Sequence, residues 1–289
     1  MILIADSGST KTDWCLCNNG IILQSIQTQG INPYHQSEEA IEEVLTHELL
    51  SQLTKNTAFK SDDSLQVIFY GAGCANETAN NRVKEAIQKV LGVNDITIHS
   101  DLLGAARALC GHEEGIACVL GTGSNSCLYN GKEIIANIPP LGYILGDEGS
   151  SAVLGRRLVG DCLKNQLPEA LRQEFFNEYQ LTQEVILEKV YRQPLANRFL
   201  ASLTPFLSKH REVPEVHRLL VDSFVDFFVR NVKQYRRPWL PIHCVGSIAN
   251  AFNSEVKEAA ESLGMELGTI QQSPMEGLIS YHCSTLRNA

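Results

Sequence analysis

The chain has 289 residues, enough for about two domains at one per roughly 150 residues, each able to bury its own core. Apolar residues make up 44% and charged residues 20%, an ordinary globular balance that excludes disorder, collagen and coiled coil. The net charge of −9 disfavours a phosphate backbone as partner, and the basic pairs Arg156-Arg157 and Arg236-Arg237 are isolated rather than parts of a stripe, so nucleic acid is not expected.

Met1 to Ala5 reads as a strand beginning at once, with no basic leader and too short an apolar run for a signal segment. Strands over Thr12 to Leu16 and Gly20 to Gln27, joined by an Asn18-Asn19-Gly20 turn, complete a β-meander. Ser37 caps a helix whose Ile41, Val44, Leu45 and Leu49 share one face, with Glu38 and Glu39 in the first turn where the helix dipole favours acids. A buried strand, Leu65 to Tyr70, leads through Gly71-Ala72-Gly73 to a helix marked by Val83, Ala86, Ile87, Val90 and Leu91 and stopped by Gly92. A strand from Asp95 to His99 follows, and Asp101 opens a helix that ends at Gly111.

The pattern restarts with strands Ile116 to Leu120 and Ser126 to Tyr129. Helices are expected over Leu167 to Tyr179, Gln183 to Tyr191 and Asn197 to His210, and Val216, Leu219, Leu220, Phe224 and Phe227 form an amphipathic stripe running to Val232. Strand Ile242 to Val245, helix Glu255 to Leu263 and a last helix from Pro274 close the chain. No stretch reaches the roughly 18 uninterrupted apolar residues of a membrane span, and the most apolar region, Ile134 to Leu145, is broken by Pro139-Pro140. Nine cysteines without a CxxC pair fit reduced, buried thiols, and a cytoplasmic location is expected.

The two restarts echo one another: Ile2-Leu3-Ile4-Ala5-Asp6-Ser7-Gly8-Ser9-Thr10 and Cys118-Val119-Leu120-Gly121-Thr122-Gly123-Ser124-Asn125 each run a buried strand into a turn of Gly and hydroxyl residues and return as a strand. Such a turn offers backbone N–H groups and hydroxyls to an anion with no side chain in the way. One such turn is ordinary hairpin chemistry, but two at matching places point to paired phosphate sites. Neither is a P-loop or a dinucleotide fingerprint: no Gly precedes Lys11 at Walker spacing, and Gly121 to Ser126 ends in Ser and returns as a strand.

Asp6-x-Gly8-x-Thr10-x-Thr12, Leu120-Gly121-Thr122-Gly123-Ser124 and Val245-Gly246-Ser247 resemble, in order, the phosphate-1, phosphate-2 and adenosine motifs of the actin, Hsp70 and sugar kinase superfamily. Gly146-Asp147-Glu148-Gly149-Ser150 resembles the signature of its BadF/BadG/BcrA/BcrD ATPase family, in particular the N-acetylglucosamine kinase branch. The resemblance implies an α/β chain of two actin-like (ribonuclease H-like) domains, residues 1–113 and 114–289, with a nucleotide cleft between them and the last helix packing back on the first. It implies ATP and Mg²⁺ as cofactors, a small-molecule sugar as substrate, and transfer to N-acetylglucosamine on its 6-hydroxyl, with a homodimer left open.

On the same resemblance Asp101 is the catalytic base and Asp6 the carboxylate that holds Mg²⁺, an ion that keeps its waters and takes one or two carboxylates. Gly8, Ser9, Thr10, Lys11 and Thr12 line the first phosphate turn, Gly121, Thr122, Gly123 and Ser124 the second, and Gly246 and Ser247 approach the adenosine. Asn32, Asp147 and Glu148 are the sugar-binding candidates. Each has a plainer reading: Asp101 as a helix cap, Asn32 as a pre-proline loop residue, the two acids as dipole partners at a helix start, and Lys11 as surface.

Leu141-Gly142-Tyr143-Ile144-Leu145 stands where some relatives carry Gly-Gly-Trp-Gly, which leaves the sugar open. Two rival readings share the fold. One is an ATPase activator of a 2-hydroxyacyl-CoA dehydratase or benzoyl-CoA reductase, a dimer sharing an iron–sulfur cluster, for which Cys127 and Cys162 are the candidate ligands. The other is a nonenzymatic sugar or nucleotide sensor, for which no added interaction segment is evident.

Overall fold

The computed structural model describes residues 1–8, 10–59 and 64–284. The chain divides into two units: Met1–Glu113 with Gly131–Glu133 and the segment from Pro274, and Glu114–Asn130 with Ile134–Ser273.

The first unit opens with the antiparallel strands β1 (Ile2–Ser7), β2 (Lys11–Asn18) and β3 (Ile21–Gln29). Asn19 (φ 49°) and Gly20 (φ 82°) both take the left-handed backbone that a two-residue hairpin needs, which is why Asn-Gly stands there. Helix α1 (Glu38–Val44) is capped by the Ser37 side chain and runs through a π-helical stretch, Leu45–Leu50, into the short α2 (Ser51–Leu53). Then β4 (Gln66–Gly71), α3 (Glu77–Leu91), β5 (Ile96–Ser100) and α4 (Asp101–Cys110) alternate, with β4 and β5 parallel to β1. The sheet order is β3-β2-β1-β4-β5.

The second unit repeats this plan. Strands β6 (Glu114–Leu120), β7 (Ser124–Asn130) and β8 (Ile134–Asn137) are an antiparallel meander, and after a helical section β9 (Ile242–Val245) and β10 (Leu267–Gln271) run parallel to β6. The order β10-β9-β6-β7-β8, read from the meander edge, is that of the first sheet. Helices α5 (Gly142–Leu145), α6 (Ser151–Leu163), α7 (Glu169–Glu178), α8 (Gln183–Tyr191), α9 (Ala196–Ala201), α10 (Thr204–Lys209) and α11 (Pro214–Arg230) precede a 3-10 turn, Val232–Tyr235. Beyond β9 come α12 (Ser247–Ala251) and α13 (Asn253–Ser262), and α14 (Met275–Ser284) returns to the first unit.

The first sheet is buried on both faces. Leu3, Ala5, Trp14, Leu16, Val67 and Phe69 pack with Ile41, Leu45, Val83 and Ile87 of the flanking helices. Their alternating neighbours Ile2, Ile4, Cys15, Cys17, Ile68 and Tyr70 pack with Leu278, Ile279 and Cys283 of α14. Gly277 lets α14 close on α4, since a Cβ there would fall on the Ala108 carbonyl. In the second unit Ile116, Cys118 and Leu120 of β6 meet Leu154 and Leu158 of α6 and Phe224 and Phe227 of α11 in one core.

Two strands lay outside the sequence expectations, and two expectations are corrected. Strands β8 and β10 escape a periodicity reading because both are short, partly exposed edge strands, one just ahead of Pro139-Pro140 and the other holding Gly268. The helix expected over Asn197 to His210 is two, α9 and α10, because Pro205 cannot donate inside a continuous helix. The cap of α4 is Ser100, whose Oγ accepts from the Leu103 N–H, so Asp101 is the first helical residue rather than the cap.

Candidate active site

In the first unit two carboxylates share one edge of the sheet. Asp6 lies near the carboxyl end of β1, and Asp101 directly follows β5; β4 separates these parallel strands, two spacings or roughly 10 Å across the sheet. The carboxyl ends of parallel strands are where α/β sheets bind ligands. Asp6 is half-buried and its carboxylate takes no hydrogen bond or ion pair among the described residues. Burial, with the charges of Asp101 and Asp13 added, pushes its pKa up to about 7. Asp101 is also raised by burial, against the Leu102 N–H, which donates to Oδ1 at 2.8 Å.

The β1–β2 turn is closed by the Gly8 N–H donating to the Lys11 carbonyl at 3.0 Å. Gly8, Thr10 and Lys11 are exposed there, and Lys11 pairs with Asp13 at 2.7 Å; Ser9 lies outside the described residues. Thr12 differs from the expectation for it. It is fully buried, and its hydroxyl is shared between Ser7 Oγ at 2.7 Å and the Gln29 carbonyl at 3.2 Å, so it shapes the turn from below. Ser7 Oγ also donates to the Ile31 carbonyl and accepts from the Ile31 N–H, which fixes the loop that carries Asn32.

Asn32 is half-buried, and its Oδ1 accepts from the Tyr34 N–H at 3.0 Å. Gly73 (φ 83°) is needed beside it, because a Cβ there would overlap Asn32 Oδ1 and the Tyr34 ring. The Gly71-Ala72-Gly73 segment is tied to the end of β1 by the Ala72 N–H, which donates to the Ser7 carbonyl at 2.8 Å. Asp6, Asp101, Asn32 and the first Gly turn thus belong to one end of one unit.

In the second unit the β6–β7 turn is built alike: the Gly121 N–H donates to the Gly123 carbonyl at 2.9 Å. The Gly121 and Thr122 carbonyls accept from the Ser151 and Ala152 N–H groups, which fastens the turn to the start of α6. Thr122 is exposed and Ser124 buried. Asp147 (φ 52°) packs over the turn, its carboxylate accepting from the Ser124 N–H, and a Cβ on Gly123 would sit 3.0 Å from Asp147 Oδ2. Burial, assisted by the Glu148 charge, raises Asp147 to about 6.

Glu148 is placed differently from its neighbour. Its Oε1 pairs with Arg230 Nε at 2.6 Å and its Oε2 accepts from Asn231 Nδ2 at 3.2 Å, so both oxygens brace the end of α11. Gly246 (φ 126°) runs against β6, where a Cβ would fall on the Leu120 carbonyl. Exposed Ser247 opens α12 and lines a pocket of about 550 Å³ with Ile248, Phe252 and, from α10, Thr204, Pro205 and Ser208. Those three α10 residues went unassigned in the sequence; their only signal is the break at Thr204-Pro205.

Cys127 and Cys162 are 0% and 1% exposed, in the core of the second unit. Among the described residues no group of three or more His, Cys, Asp or Glu side chains is placed to hold a metal ion. Among the same residues no helix is long and apolar enough to cross a membrane.

The family model for BadF/BadG/BcrA/BcrD ATPases matches residues 5–172. A candidate N-acetylglucosamine kinase from Porphyromonas gingivalis is 50% identical over 99% of this chain and 100% of its own, with a TM-score of 0.93. A second such candidate, from Chromobacterium violaceum, is 19% identical over 97% of this chain and 98% of its own, with a TM-score of 0.77. A ROK hexokinase from Thermus thermophilus, 12% identical over 100% and 99% of the two chains with a TM-score of 0.51, shares the fold alone. No curated protein matches the chain. The doubled mixed sheet is the actin-like, ribonuclease H-like α/β fold of these proteins.

Proposed function

The chain belongs to the BadF/BadG/BcrA/BcrD ATPase family, and from that premise we propose that it is an ATP-dependent sugar kinase that phosphorylates N-acetylglucosamine on its 6-hydroxyl. The observation that carries the reading is the pair of carboxylates at one sheet edge beside a Gly-rich turn, in a chain 50% identical along its length to a candidate kinase for that sugar. Phosphoryl transfer asks the protein for positioning and charge neutralisation more than for covalent chemistry, and both are within the reach of these groups.

Asp101 accepts the proton of the attacking sugar hydroxyl. Its rigid place at the first turn of α4 suits a positioned base, and burial, which raises its pKa above the ordinary carboxylate value, strengthens it as a proton acceptor. Asp6, half-buried and unpaired among the described residues, fits a hydrated divalent cation, whose charge would offset the burial and the carboxylate repulsion that lift its pKa. When bound, Mg²⁺ supplies neutralisation of the phosphate charge. The N–H groups and hydroxyls of the Gly8 and Thr122 turns hold phosphate oxygens, and Lys11 adds a positive charge to the first.

Asn32 and Asp147 bind sugar hydroxyls, while Glu148 supports Asp147 from behind through Arg230 and Asn231. The pocket beside Ser247 receives the adenosine, with the Gly246 backbone at its edge. ATP as substrate and nine free cysteines fit a cytoplasmic enzyme. The buried Cys127 and Cys162 give a shared iron–sulfur cluster no accessible ligand, which disfavours the activator reading.

The test is ADP formation from Mg-ATP across a panel of hexoses and amino sugars, with 6-deoxy-N-acetylglucosamine as the control that lacks the acceptor. Turnover with N-acetylglucosamine and none with the 6-deoxy analogue is expected. ADP release independent of sugar would overturn the reading.

A further inference from the structure

At the opposite end of the second sheet from Leu120 and Val245, where β6 and β9 begin, the surface holds a recess of about 330 Å³. Ile116, which lines it, is four residues before Leu120, or roughly 13 Å along the strand, so the recess is separate from the Gly121 turn. Its floor is apolar: Ile116, Val232 and Ile242 are buried, and Leu240, Leu263 and Met265 half-buried. Its volume lies at the lower end of the roughly 300–1,000 Å³ typical of small-molecule sites.

The rim carries the opposite chemistry. Lys233, Arg236 and Arg237 are exposed around the recess, with Glu266 as the single carboxylate among the residues that line it. Among the described residues the ion pairs engage other lysines and arginines, so these three cations are not matched by a carboxylate. Arg236 holds the left-handed backbone (φ 56°), uncommon outside glycine, where the chain leaves the Val232–Tyr235 turn along the recess. The Arg237 guanidinium lies 5.5 Å from the ring centre of Trp239, which is 66% exposed. Such a cluster stands out in a chain whose net charge is −9.

We propose that this recess binds a small amphipathic anion: an apolar body the size of a short alkyl chain or a single ring, carrying a carboxylate or a phosphate. The body lies against Ile116, Val232, Ile242 and Met265, and the head group is taken by Arg236 and Arg237, whose planar forks match carboxylate and phosphate oxygens. Glu266 on the same rim disfavours a second negative charge at its side. The site owes nothing to the kinase reading and stands or falls apart from it.

The test is calorimetric titration of the full-length protein with octanoate, octyl phosphate and octanol, which share a chain and differ in the head group. Both the wild type and an Arg236→Ala/Arg237→Ala variant are titrated. Saturable binding of at least one anion, at least tenfold tighter than octanol and at least tenfold weakened in the variant, is expected; octanoate against octyl phosphate identifies the preferred head. Trp239 fluorescence should follow the same isotherm, since Trp14 is buried at 1% exposure. Met265→Trp, which fills the recess and leaves the cations in place, should abolish binding without changing the circular dichroism. Equal affinity for octanol and both anions, indifference to the arginine substitutions, or no binding at all would overturn the proposal. So would a dimer in sedimentation that Met265→Trp dissociates, which would make the recess a contact between two copies of this chain.

Discussion

Asp6 on β1 and Asp101 just after β5 stand at the same end of the first sheet, with β4 between the two strands, and burial together with the charge of Asp101 holds the Asp6 pKa at about 7. In the folded protein Asp6 therefore keeps a proton that the unfolded chain, with an ordinary value of 3.8, has already released. Its contribution to stability is fully present below pH 4 and is lost as pH rises through 7. Asp6→Asn should be more stable than the wild type at pH 8 by about 2 kcal/mol and should show a shallower fall between pH 5 and 8 in urea unfolding. Mg²⁺ should stabilise the wild type at pH 8 and not the variant. A variant less stable than wild type at pH 8 would contradict this.

Asp147 and Glu148 are adjacent and should behave differently. Asp147→Asn should raise the KM for sugar about tenfold or more with the unfolding midpoint almost unchanged, because its carboxylate has one backbone partner and faces the Gly123 turn. Glu148→Gln should instead cost about 1–3 kcal/mol of stability, since it weakens the brace to Arg230 and Asn231. Paired kinetics and thermal unfolding of the two variants distinguish them, and equal effects on KM would count against the assignment.

Thr12→Val should destabilise the first unit. The substitution leaves the buried Ser7 hydroxyl and the Gln29 carbonyl short of a partner, at a cost of about 1–3 kcal/mol. Its effect on the KM for ATP should be smaller than that of Thr10→Val, whose exposed hydroxyl sits on the turn itself. The reverse order would put the Thr12 hydroxyl on the nucleotide.

Gly246→Ala combines a left-handed backbone with a Cβ driven into the Leu120 carbonyl, so both β9 and the Gly121 turn must shift. A loss of about 2 kcal/mol or more in stability, with a higher KM for ATP in the protein that remains folded, is expected. Gly160→Ala, inside α6 at a position where a Cβ meets nothing within 4 Å, is the control and should leave the KM for ATP unchanged while stabilising the protein by about 0.5–1 kcal/mol.

The repeat of Gly and hydroxyl residues after β1 and β6 made the doubled sheet legible, because those turns and the apolar strands before them carry strong local signals. Strands β8 and β10 were not legible: each is a short edge strand that borrows its order from β7 or β9. Asp6, Asp101 and Asn32 became candidates through motif position, and the structure puts them at one end of the first unit, yet which hydroxyl of the first turn points outward could not be read. Thr10 and Thr12 are two residues apart, a spacing that strand periodicity alone would put on one face, and only the hydrogen bonds of Thr12 to Ser7 and Gln29 show that Thr12 points inward while Thr10 stays on the turn. The place of Thr204, Pro205 and Ser208 in the pocket beside Ser247 was hidden for a related reason, because a pocket wall on α10 leaves no periodic trace near Ser247, which is distant in the sequence.

Steady-state ADP formation by Asp101→Asn, at saturating Mg-ATP and N-acetylglucosamine, bears most directly on the proposed chemistry. Asparagine keeps the size of the side chain and its acceptor for the Leu102 N–H but cannot take a proton from the sugar hydroxyl. A kcat lower by about 100-fold or more is expected, with sugar affinity by calorimetry within roughly threefold of wild type. A kcat equal to that of the wild type would contradict the role of Asp101 as the base.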